Sequence, residues 1–70
     1  MIPLSVLGAG NEGIIRRISG KPAVKKHLEN LGFIAGDSVT VIAEQNGNII
    51  VKVKESRIAI SKEMAMKIYV

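Results

Sequence analysis

The chain has 70 residues, with ten Lys and Arg against six Asp and Glu, a formal net charge of +4 and a pI near 9.8. Apolar residues make up 47% of it, aromatics only 3%, and there is no cysteine. These figures exclude disulfide scaffolds and thiolate metal sites, and they predict one small domain, residues 1–70, whose core is built from Ile, Val, Leu and Met. The lack of cysteine fits a reducing cytosol, and a cytoplasmic location is expected. Met1 to Gly8 has no basic n-region. No apolar run approaches the ~20 residues that span a bilayer, so no membrane insertion is expected. The positive balance is a mild bias towards anionic partners.

Met1 to Gly10 (MIPLSVLGAG) reads as a lead-in. Pro3 argues against a central strand, and a helical or 3₁₀ turn would tuck Leu4 and Leu7 inward together. Gly8 and Gly10 close that turn. They do not form a phosphate cradle, which needs Gly-Lys-Ser/Thr opening a helix. Glu12 to Ser19 (EGIIRRIS) is the first strand. A bulge near Arg16-Arg17 would let Ile15 and Ile18 both point inward.

Ser19-Gly20-Lys21 is a turn, and Pro22 suits the first position of a helix, where its missing N–H costs nothing. The stretch Val24 to Asp37 (VKKHLENLGFIAGD) then turns the chain from helix to sheet. Val24, Leu28 and Leu31 form one apolar stripe, with Lys25, Lys26, Glu29 and Asn30 opposite. Gly32 ends the helix, with Phe33 packing back on Leu28 as in a Schellman ending. Gly36-Asp37 makes a second turn.

His27 is the only histidine. A metal site needs several converging ligands, so a half-buried or surface histidine is the reading. No Ser/His/Asp set or carboxylate pair can be placed for catalysis, and no enzyme is expected. No cofactor is expected either.

Asp37 to Glu44 and Asn48 to Lys54 read as a hairpin. Val39, Val41 and Ala43 alternate on one strand and Ile49, Val51 and Val53 on the other. Between them lies Asn46-Gly47, the strongest short hairpin signal. A turn at Glu55-Ser56 leads into Arg57 to Ile60, with Ile58 and Ile60 inward. Ser61 caps a short helix, Lys62 to Met66, and Lys67 to Val70 returns as a final strand. The order predicts a mainly β fold: a small closed barrel of about five short strands, with one inserted α-helix and a C-terminal helical turn.

Three segments resemble the FeoA family, and together they cover nearly the whole chain. LENLGFIAGDSVTV is similar to its pattern of a leucine helix, Leu-Gly-Phe/Leu, two residues, Gly, an acidic or small residue, then Val-x-Val. PLSVLGAGNEGIIRRI resembles its opening, with Leu4-Ser5, Gly10 and Gly13. RIAISKEMAMKIYV resembles its ending, with Ile58, Ile60, Glu63, Ala65, Ile68 and Val70 in register. Glu55-Ser56 departs from it, glycine being common there. The resemblance implies an SH3-like barrel and transition-metal binding at the level of the family. It also implies a role in ferrous-iron uptake beside FeoB, the membrane iron transporter with a cytosolic G domain. The same domain ends metal-dependent repressors of the diphtheria-toxin-repressor type. With no DNA-reading helices in these residues, a stand-alone accessory protein is expected.

Two functional readings stand. One is a protein-binding module that docks on the transporter. The other is a small basic barrel contacting phosphates through Arg16, Arg17, Lys21, Lys25 and Lys26. The shortage of stacking aromatics counts against nucleic acid, and equally against a PxxP groove. The expected docking surface is Lys25, Lys26 and Glu29 with the loop around Ile34 and Ala35, an apolar tip with a polar rim. Weak self-association stays open.

Overall fold

The computed structural model describes residues 1–70. Strands β3 (Ser38–Gln45) and β4 (Asn48–Val53) form the expected hairpin. Asn46 and Gly47 both take positive φ, 50° and 80°, as a type I′ turn requires. Val39, Val41, Ile49, Val51 and Val53 all face the core. The alternation breaks at Ala43, because a bulge between Val41 and Ala43 gives β3 one extra residue, Ile42. Strand β5 (Ser56–Ser61) extends the sheet, buries Ile60 and leaves Ile58 half-buried. Its turn is Lys54-Glu55, one residue earlier than expected, because Ser56 pairs with Val53. Lys54 accommodates this with a φ of 55°, uncommon for a lysine.

The expected first strand is two strands, and this is the main correction. β1 (Glu12–Ile14) pairs with β3, whereas β2 (Arg17–Ile18) pairs with β6 (Ile68–Tyr69) in a second sheet. The chain changes sheets at Ile15 and Arg16. The Ile15 N–H donates to the Asp37 carbonyl at 2.9 Å, and the Arg16 N–H donates to the Tyr69 carbonyl at 2.8 Å. No bulge is needed near Arg16-Arg17. Ile15 is buried and Ile18 half-buried, both inward as expected. The result is six strands in sheets of four and two, ordered β1-β3-β4-β5 and β2-β6.

The final strand is shorter than expected, but Val70 continues it by exchanging two backbone bonds with Ile2, at 3.0 and 2.9 Å. Leu4–Val6 is a 3₁₀ turn that buries Leu4 fully and Leu7 partly. Helix α2 (Lys62–Ala65) ends one residue before Met66 and is capped by the Ser61 hydroxyl, which accepts the Met64 N–H at 3.2 Å. The core holds twelve buried residues, all apolar, and no buried polar side chain.

Candidate docking groove

Helix α1 (Pro22–Leu31) sits between β2 and β3 in the chain. Pro22 at its first turn presets φ. The stripe of Leu28, buried, and Val24 and Leu31, half-buried, plants the helix on the barrel. Lys25, Lys26, His27, Glu29 and Asn30 face solvent. Gly32 ends the helix at φ 112°, its N–H donating to the Glu29 carbonyl at 2.9 Å. The Phe33 N–H donates to the Leu28 carbonyl at 3.0 Å, which completes a Schellman motif. Phe33 is fully buried.

The next four residues form a tight turn. The Asp37 N–H donates to the Ile34 carbonyl at 3.1 Å, and Gly36 takes a φ of 97°, as glycine does at the third position of a type II turn. The turn is tied to the barrel at Ile15, whose carbonyl accepts the Gly36 N–H at 2.7 Å. Ile34 is therefore held on a fixed backbone with 44% of its surface exposed.

A groove of about 570 Å³ lies where this turn meets α1 and β2, lined by Ile18, Lys25, Glu29, Asn30, Ile34 and Ala35. The structure brings together Lys25, Glu29, Ile34 and Ala35 from the expected surface and leaves Lys26 outside the lining. Sequence reasoning missed Ile18 and Asn30. Ile18 looked like core alone, and Asn30 looked like any residue of the solvated helical face.

The polar rim is unengaged. Lys25 and Glu29 are four residues apart on one helix, with Lys N-terminal to Glu, the weaker orientation for such a pair. They form no ion pair; the molecule's two are Lys54–Asp37 at 3.3 Å and Lys62–Glu44 at 3.9 Å. No side-chain hydrogen bond holds Asn30. The groove thus offers a cation, an anion and an amide around an apolar floor.

No group of three or more His, Cys, Asp or Glu side chains gathers anywhere in the molecule, so the residues present do not fit a resident metal site. No helix is long and apolar enough to cross a membrane. Of the two aromatics, Phe33 is buried and Tyr69 lies under Arg17, whose guanidinium carbon is 5.4 Å from the ring centroid.

Two small sheets, a helix inserted between β2 and β3 and a groove beside that helix define a small SH3-like domain. Among solved structures, an iron uptake regulatory protein, FeoA, superposes with a TM-score of 0.87 at 34% identity, covering 96% of this chain and 89% of that one. The FeoA of Stenotrophomonas maltophilia, an SH3 domain protein solved in complex with zinc, superposes at 0.86 with 21% identity, covering 99% of this chain and 88% of that one, a likeness of fold alone. A Methanocaldococcus jannaschii protein named "Putative Fe(2+) transport protein A" is 37% identical over 70 residues, all of this chain and 85% of its own length. The FeoA domain family matches residues 2–70, and the chain belongs to this family of ferrous-iron transport accessory proteins.

Proposed function

We propose that the chain is a non-enzymatic, cytosolic accessory protein of ferrous-iron uptake that acts by docking on the cytosolic part of an FeoB-type membrane transporter. The observation that carries this reading is Ile34, presented on a tethered turn beside the unpaired Lys25 and Glu29. An apolar anchor inside a rim of unengaged charge is the usual build of a protein-binding surface. Catalysis finds no support in the same groove, which holds one carboxylate and no histidine.

Nucleic acid fits less well. Phe33 is inaccessible and Arg17 occupies one face of half-buried Tyr69, so the chain offers little aromatic surface on which bases could stack.

The test is an NMR titration of the labelled protein with the cytosolic part of the transporter, with a DNA oligomer as control. Docking predicts shifts centred on residues 25 to 35 that persist as salt is raised. Phosphate binding would fade steeply with salt. Lys25→Glu combined with Lys26→Glu, and Ile34→Asp separately, should stay folded by circular dichroism and lose transporter-dependent iron uptake. Normal uptake by both folded variants would move the docking face elsewhere, with Lys52 on β4 and Lys54 in the turn after it next to be tried.

A further inference from the structure

The larger sheet has an open side. β1 and β5 are its two edges, and β1 has only three residues against six in β5. Val53 and Ser56 flank the two-residue turn, so they exchange both N–H···O bonds; alternation then turns Ile58 and Ile60 towards β4 as well. The N–H and C=O of Arg57 and Ala59 point away from the sheet, as does the Ser61 N–H. No other backbone group bonds to them. The strand has few of the devices that blunt an edge: it has no proline and no bulge, and Arg57 is its one charged residue.

We infer that β5 is a pairing edge whose occupant is the β5 of a second copy, joined antiparallel about a two-fold axis at Ala59. The sequence of the strand selects this register. Opposed residues of an antiparallel pair share a face, so the axis must pass through one residue and its copy. An axis at Arg57 would oppose two guanidiniums, and one at Ile58 would set Ser56 against Ile60. The axis at Ala59 opposes two small side chains, places Arg57 against Ser61 and sets Ile58 against Ile60 on the core side. Half-buried Ile58 is thereby covered. The Ala59 pair exchanges two backbone bonds, and each Ser61 N–H donates to the Arg57 carbonyl of the other copy. The four-stranded sheets become one eight-stranded sheet across two chains.

This surface shares no residue with the groove. A few backbone bonds and two Ile pairs fall well below the ~1,200–2,000 Å² of a stable interface, so the dimer is weak. Each copy carries a net +4, so added salt should strengthen association, opposite to its effect on phosphate binding.

Charge exchange on the axis tests this directly. Ala59 is exposed, so Ala59→Lys and Ala59→Glu should both fold, and each places like charges opposite one another. Sedimentation equilibrium should show each variant associating about tenfold or more weakly than the parent, and an equimolar mixture of the two recovering parental association. In this cysteine-free chain, Ala59→Cys should also cross-link on mild oxidation, since opposed hydrogen-bonded residues lie about 5.5 Å apart at Cα, within disulfide reach. Glu63→Cys, exposed on α2, should not. A parent that stays monomeric to about 1 mM, variants that associate like the parent, or failure of Ala59→Cys to cross-link would each overturn the inference.

Discussion

Leu28 joins the helix to the barrel more than any other residue of α1. Its side chain is fully buried, and its carbonyl accepts the Phe33 N–H that ends the helix. Leu28→Ala should cost about 2–5 kcal/mol, the transfer term plus an unfilled cavity. A domain of this size has only about 4–10 kcal/mol in all, at the usual stability per residue. Urea denaturation should therefore show a midpoint shifted far down, or a chain already unfolded in buffer. Leu28 was readable in advance because its signal is local: a stripe at helical spacing, ended by a glycine. Asn30 was not. On a polar helical face every side chain looks alike, and only Ile18, from another element, selects which of them line a groove. Lys26, about 100° round the helix from Lys25, falls outside for the same reason.

Among the elements, the turn from Ile34 to Asp37 is the one that holds the proposed anchor, Ile34, on a tethered backbone. A Cβ on Gly36 would meet nothing within 4 Å, so glycine is needed there for its φ of 97° and not for space. Gly36→Ala should cost about 1–2 kcal/mol for the left-handed conformation alone. Gly36→Asn should cost less, because asparagine tolerates that region. If the groove binds as proposed, partner affinity should fall further with Ala than with Asn, in step with the loss of stability. A partner that binds both variants like the parent would show that the turn does not present the anchor. The β3–β4 hairpin and the capped α2 were readable from Asn46-Gly47 and Ser61, each a short-range cue acting on its neighbours. The split of β1 from β2 was not. Arg17 takes Tyr69 as its partner, and nothing in the residues around Arg17 announces a pairing so distant.

For the molecule as a whole, the carboxylates are dispersed and the one histidine stands alone on α1. Calorimetry with Fe²⁺ or Zn²⁺ under reducing conditions should show no one-to-one binding tighter than about a micromolar, since ligand sets of three or more are the rule for such sites. Sub-micromolar binding by the monomer would mean that ligands converge through a rearrangement of this fold.

The change of sheets at Ile15 and Arg16 also orders events in time. β3, β4 and β5 pair with sequence neighbours and can zip together early. β2 must wait for β6, so the smaller sheet forms only once residue 69 is available, and its closure should carry the entropy of a long loop. The same pair should be the first to open. Native-state hydrogen exchange should find the Arg16 and Ser19 amides, bonded to Tyr69 and Lys67, exchanging through a smaller opening than Val51 at the centre of the larger sheet. Ile18 lies in β2, so each such opening dismantles one wall of the groove while the meander stays folded.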